Sequence, residues 1–219
     1  MAIMANKKHP AESINESFIG ILVGDVELTL ERVQAIDSQY NRRDLVRTTI
    51  AAIEGVTWVF RQNIQSVATD IDSIPPDVAA VFSETFYSVN EQGKITQQSR
   101  FVPLLAIIRL TANLAKQICP NLILDFSQNG WADLKQAIII RNRITHPKNK
   151  RDLYITLAEI AVVRSGFVWL LSLTQDAMEA ANAESAFHLH LLRTFTDLLI
   201  AGDKNALAEY QKALDDLED

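Results

Sequence analysis

Apolar residues recur every three or four positions along most of this chain, the spacing of one face of an α-helix. Val26, Leu30 and Val33 follow this spacing in the first strongly periodic segment. Gly and Pro, which mark tight turns between short strands, number only 7 and 6 among 219 residues. Because 48% of the residues are hydrophobic, a large core can form. We therefore predict a single all-α helical bundle of seven or eight helices.

Turn-forming and capping residues locate the helix ends. The predicted helices cover residues 19–36, 41–66, 77–87, 101–119, 130–146, 152–180, 184–201 and 204–217. The polar tract at 90–99 is predicted to be a loop. We expect residues 1–15 to form a flexible tail and residues 16–219 a single domain, with its core at 41–180.

Composition excludes several classes of protein. The net charge of −6 disfavours a protein that coats nucleic acid generally. A single cysteine cannot form an internal disulfide, and the four histidines form no metal-ligand motif, so no metal or other cofactor is expected. The most membrane-like stretch, 153–174, contains Glu159 and Arg164 and is interpreted as a buried helix. With no secretory signal evident, we expect a cytoplasmic protein without membrane contact.

One segment concentrates positive charge. Residues 135–151, called the basic segment below, contain no acidic residue. The predicted helix in this segment ends at His146, because Pro147 follows. The six cations of the basic segment are Lys135, Arg141, Arg143, Lys148, Lys150 and Arg151. This local charge makes a phosphate-bearing ligand plausible on an otherwise acidic protein.

Arg141, Asn142 and His146 lie together within the basic segment. Asn142 and His146 are four residues apart and nearly stack on one helix face. Histidine can take or give a proton near neutral pH, and arginine binds phosphate oxygens through a fork of donors. Asn142 could orient the imidazole or hold a ribose. The set suits cleavage of RNA by attack of the 2′-OH without a metal ion.

Two simpler interpretations stay open. An Arg five residues before a His arises easily by chance, although the intervening Asn makes the pattern rarer. Cations near a helix C-terminus also interact favourably with the helix dipole, so the basic segment could be only a solvated helix end. A third alternative is a binding or scaffold module that uses residues 135–151 to hold a nucleotide, RNA or an acidic protein.

The motif Arg141-Asn142-Arg143-Ile144-Thr145-His146 resembles that of the ribonuclease members of the HEPN superfamily, in which an R-x(4–6)-H motif ends a helix of a four- or five-helix bundle. The wider string LKQAIIIRNRITHPK, followed by a long helical pattern, is similar to members of this superfamily. The resemblance implies a HEPN-like core and a metal-independent endoribonuclease, acting as a toxin or antiviral defence effector. Lys148 replaces the Tyr that one antitoxin-regulated subfamily carries, so that form of regulation is not expected.

The resemblance also implies roles for individual residues. Arg141 and His146 would be the catalytic pair and Asn142 a supporting residue, at a composite site formed by a homodimer. Neighbouring cations would bind the RNA substrate, namely Arg143, Lys148, Lys150 and Arg151. An antitoxin or defence-system protein is a further expected partner.

An earlier helix carries a second polar stripe. Arg47 and Glu54 lie seven residues apart and share a helix face, and Glu54 is predicted to pair with Arg47 or Arg141. Both are candidate supporting residues, and the simpler interpretation is a salt-bridged or solvated face. His188 and His190 are two residues apart, so they point to different sides of a helix, and we expect structural roles for them.

Overall fold

A computed structural model describes residues 17–218. The helices and strands lie in the order α1 (Phe18–Ala35), α2 (Gln39–Asp70), α3 (Pro76–Phe82), β1 (Thr85–Val89), β2 (Ile95–Ser99), α4 (Leu104–Ile118), α5 (Asn129–Thr145), a 3-10 turn (Lys150–Leu153), α6 (Leu157–Ile200) and α7 (Lys204–Glu218). The predicted all-α class is confirmed. The predicted tail, 1–15, lies outside the described residues.

The core forms where α2, α4, α5 and α6 pack side by side, with α1 against α2. Fully buried residues such as Ile53, Leu134 and Leu170 come from α2, α5 and α6. Burial of each such side chain contributes about 1.5–3 kcal/mol relative to exposure. The catalytic motif predicted on α5 therefore stands on one of the most deeply packed helices.

A β-hairpin corrects the sequence prediction between α3 and α4. The helix predicted at 77–87 ends at Phe82, and the predicted loop at 90–99 contains the strand β2. Antiparallel pairing aligns Thr85 with Ser99, and Gly93 takes a positive φ of 74° in the turn. The physical reason is that the β-branched and aromatic residues of β1 favour a strand once β2 supplies a partner.

The long helix α6 corrects a second prediction. The two helices predicted at 152–180 and 184–201 are one continuous helix, because Ala and Glu continue a helix through the predicted break. It begins at Leu157 rather than 152, where Thr156 and Glu159 form a reciprocal capping box. By length and composition alone α6 could cross a membrane, and 39% of its most apolar window is buried within the protein. A core helix meets the same criterion.

Gly166 lets α5 and α6 approach closely. A Cβ atom at this position would lie 2.7 Å from both the backbone N and Cα of Leu134 on α5. Backbone atoms cannot move aside as a flexible side chain can. The absence of a side chain at Gly166 therefore sets the distance between the helix that carries the Arg141–His146 motif and its main packing partner.

We predict that Gly166→Ala destabilises the protein by about 1–3 kcal/mol, because overpacking at the α5–α6 contact outweighs the better helix propensity of alanine. Gly24→Ala is the matched control: its Cβ would meet nothing within 4 Å, and it should stabilise α1 by about 0.5–1 kcal/mol. Urea denaturation of both variants measures the difference. Equal stabilisation by both substitutions would contradict the close packing at Gly166.

Candidate functional site

The last residue to join the hydrogen-bond ladder of α5 is His146. Its backbone N–H donates to the carbonyl of Asn142 at 3.0 Å, and its φ of −122° and ψ of 59° leave the helical region before Pro147. The imidazole is exposed and makes no hydrogen bond within residues 17–218. The buried Ile140 and Ile144 hold the helix below it. A free imidazole is thus carried on a rigid support.

Arg141 is held one turn earlier on α5 by two acceptors. Its Nη2 forms an ion pair with Glu54 of α2, and its Nη1 donates to Asn142 Oδ1 at 3.1 Å. The Arg141 side chain remains 30% exposed and that of Glu54 49% exposed. Of the two partners predicted for Glu54, the structure selects Arg141. An ion pair this exposed contributes little to stability, about 0–1 kcal/mol, so a phosphate can compete for the guanidinium.

Arg47 of α2, the other predicted supporting residue, lies near the C-terminal end of α5. Its Nη2 is 3.5 Å from the carbonyl oxygen of Ile144, a long hydrogen bond at best. Its positive charge nevertheless stands beside the C-terminal carbonyls of α5, where a cation is favourable. The structure therefore brings Arg47 and Glu54 of α2 to opposite ends of the Arg141–His146 turn.

Arg143 points instead toward the start of α6. Its Nη2 donates to the carbonyl of Tyr154 at 3.0 Å and forms an ion pair with Glu159 at 2.8 Å. Its Nε is buried and makes no hydrogen bond within the described residues. These contacts give Arg143, which we predicted to bind RNA, a structural partner between α5 and α6.

The remaining predicted RNA contacts lie on the loop after α5. The side chains of Lys148, Lys150 and Arg151 are exposed and form no ion pair within the part of the chain that the structure describes. The loop backbone is ordered by Asp152, whose carboxylate accepts hydrogen bonds from the amides of Lys148 at 2.7 Å and Asn149 at 3.1 Å. Three free cations are thus presented from a fixed loop beside His146.

Residues at the start of α2 fix the far end of this loop. Gln39 exchanges two hydrogen bonds with the backbone of the fully buried Ile155, donating at 3.0 Å and accepting at 2.7 Å. Arg43 donates to the carbonyl of Leu153 at 3.0 Å. The sequence alone did not indicate these contacts, because they join residues more than a hundred positions apart.

A cleft of about 200 Å³ adjoins Glu54 on the side away from Arg47. It lies between α2, the start of the hairpin and the segment before α4. Trp58 is 53% exposed at its edge, while Arg61 is only 7% exposed and pairs with Glu84 at 2.7 Å. Sequence reasoning missed this cleft, although Arg61 follows Glu54 by the same seven-residue spacing that singled out Arg47.

No cluster of three or more His, Cys, Asp or Glu side chains suited to a metal ion occurs among residues 17–218. The single cysteine, Cys119, is buried, and burial raises the pKa of its thiol. A raised pKa disfavours the thiolate that a cysteine nucleophile needs. The chemistry that these side chains offer is therefore that of His146 and Arg141.

Comparison with family models, curated proteins and solved structures finds no match to this chain. The resemblance to HEPN ribonucleases thus rests on the residues from Arg141 to His146 and on their helical setting.

We predict that the loop after α5 loosens in acid. The carboxylate of Asp152 accepts hydrogen bonds, of which the one from the Lys148 amide has the largest effect. These bonds hold the pKa of Asp152 below its ordinary value. The resulting stabilisation is present above about pH 4, the unfolded value, and is lost as the pH falls through the lowered pKa.

Amide chemical shifts of Lys148 and Asn149, followed by NMR during acid titration, measure this effect. The amide of Ile155 is the internal control, because its acceptor, Gln39, does not titrate. Asp152→Asn should abolish the titration of the two loop amides. Identical titration curves in the variant would show that another group orders the loop.

Proposed function

We propose that this protein is a metal-independent endoribonuclease of the HEPN type, with Arg141, Asn142 and His146 at its active site. The observation that carries the proposal is the exposed imidazole of His146, which has no partner among residues 17–218 and lies about one helical turn beyond an arginine that two acceptors orient. General acid–base catalysis needs an accessible imidazole, and phosphate binding needs an accessible guanidinium.

In this mechanism His146 removes the proton of the RNA 2′-OH or protonates the departing 5′-oxygen. Arg141 exchanges Glu54 for a phosphate oxygen and stabilises the charge that develops there. Asn142 keeps the guanidinium oriented through its Oδ1. Lys148, Lys150 and Arg151 neutralise neighbouring phosphates, an electrostatic contribution that depends on salt.

A homodimer follows from the number of proton transfers. The reaction needs both a base and an acid, and each chain supplies one histidine at this site. Two copies of α5 facing one phosphate would supply both groups, as twofold symmetry allows. The resemblance adds a toxin or antiviral effector as the biological role, an antitoxin or defence protein as a regulatory partner, and a cytoplasmic location.

One observation favours a second candidate function. Arg141 is already paired with Glu54, whereas the exposed cations of the loop are free of ion pairs within the described residues. A binding module would use these loop cations to hold RNA, a nucleotide or an acidic protein without cleaving it. Such a protein would not depend on His146.

The two candidates differ in the effect of His146→Ala. We predict that purified wild-type protein cleaves RNA in EDTA, and that this substitution lowers the rate by about 10²–10⁴ while leaving the fold intact. A gel assay on labelled RNA of several classes measures the rate, and circular dichroism measures the helix content.

His190→Ala is the matched control, since this histidine is exposed on α6 outside the candidate site. It should cleave at the wild-type rate. RNA binding without cleavage by wild-type protein would favour the binding module, and loss of helix content in His146→Ala would assign that residue a structural role.

A further inference from the structure

The cleft beside Glu54 combines an exposed aromatic edge with an ion pair between the buried Arg61 and the half-exposed Glu84. Trp58 and Phe101 border it and are 53% and 88% exposed. Large aromatic side chains that remain this exposed around a concave surface are suited to stacking on a flat ligand. Phe18 packs edge-to-face against Trp58, with 6.2 Å between the ring centroids, and so helps to orient the indole.

The floor of the cleft contains an arginine with unused donors. Guanidinium carries five N–H donors, yet within the described residues Arg61 forms one ion pair, to Glu84, and its buried Nε makes no hydrogen bond. Its side chain is 9% exposed. A buried donor without a partner is costly, and a ligand in the cleft can supply further acceptors to this guanidinium.

The hairpin holds Glu84 in a strained backbone conformation. Its φ of 50° is in the left-handed region, which residues other than Gly seldom adopt. The Glu84 carbonyl accepts a hydrogen bond from the Arg100 amide at 2.7 Å, which closes the base of the hairpin. This left-handed residue directly follows the C-cap of α3 and turns the chain into β1, and the Glu84 carboxylate then lies against Arg61.

The position of the cleft relates it to the proposed active site. Glu54 lines the cleft and also pairs with Arg141. Arg61 lies two helical turns beyond Glu54, roughly 10 Å along α2. A ligand group in the cleft therefore lies close to a phosphate on Arg141. The volume of about 200 Å³ is below the roughly 300–1,000 Å³ of drug-sized ligand sites and suits a single flat ring system.

We propose that this cleft binds one guanine base of the RNA, beside the phosphate that Arg141 contacts. Guanine presents the acceptor O6 next to two donors, N1–H and the N2 amino group. Arg61 can donate to O6, and the Glu84 carboxylate can accept from the two donors, while Trp58 stacks on the ring. Adenine offers one donor group at that edge, and uracil a single N–H. The inference rests on the proposed ribonuclease function for the identity of the ligand.

Binding is tested separately from cleavage. Fluorescence anisotropy measures the affinity of labelled 2′-O-methyl oligouridylates, which cannot be cleaved by 2′-OH attack, carrying one central G, A, C or inosine. The strand with G should bind about tenfold more tightly than the others, because a bidentate contact to a base edge discriminates by about this factor or more. Inosine lacks only the N2 amino group, so it tests the carboxylate contact without changing the protein.

Trp58→Ala and Phe101→Ala should each weaken binding of the strand with G, with Trp58→Ala losing about tenfold in affinity. Tyr87→Ala is the control, because Tyr87 is 65% exposed on the hairpin but does not line the cleft. Glu84→Gln should weaken binding of G relative to A, and the inosine strand supports the same contact if this variant fails to fold.

Equal affinity for all strands, or a G preference that is unchanged in folded Glu84→Gln and equally strong for inosine, would overturn the guanine site even if the protein cleaves RNA. Conversely, a G preference that depends on Glu84, with affinity that depends on Trp58 but without any cleavage, would support the cleft and refute the ribonuclease.

Discussion

The close contact of α5 with α6 at Gly166 is the packing constraint on which the candidate site depends. Because the backbone of Leu134 occupies the space that a side chain would need, the two helices are held at a fixed separation. Buried isoleucines on the same helix then leave the polar side chains of its last turn facing outward. The position of Arg141 and His146 is thus a consequence of how tightly the opposite face of α5 is packed.

Long-range polar contacts complete the site around this helix. Glu54 reaches Arg141 from α2, Arg143 bridges to α6, and Gln39 anchors the chain just before α6. Two of the three contacts come from α2 and the third from α6, and each joins one of these helices to α5 or to the loop after it. The loop that carries the free cations is consequently held from both sides, which reduces the entropy that ligand binding must overcome.

Helical periodicity was sufficient to predict the fold class and most helices, because a one-sided apolar stripe is a local property of the sequence. It failed for β1, where strand formation depends on pairing with β2, and for the start of α6. The latter is marked by the capping box of Thr156 and Glu159, a signal present in the sequence. Only packing could decide whether Glu54 pairs with Arg47 or Arg141, and the Arg61–Glu84 pair depends on the hairpin that periodicity missed.

The chemistry of the RNA products tests the central claim most directly. In EDTA, the protein should leave 2′,3′-cyclic phosphate and 5′-hydroxyl ends, and a single 2′-deoxy substitution at a mapped cleavage position should stop cleavage there. Mass spectrometry of the products distinguishes these ends. Cleavage that continues at the deoxy position, or that leaves 3′-hydroxyl and 5′-phosphate ends, would contradict a reaction in which His146 and Arg141 promote attack by the 2′-OH.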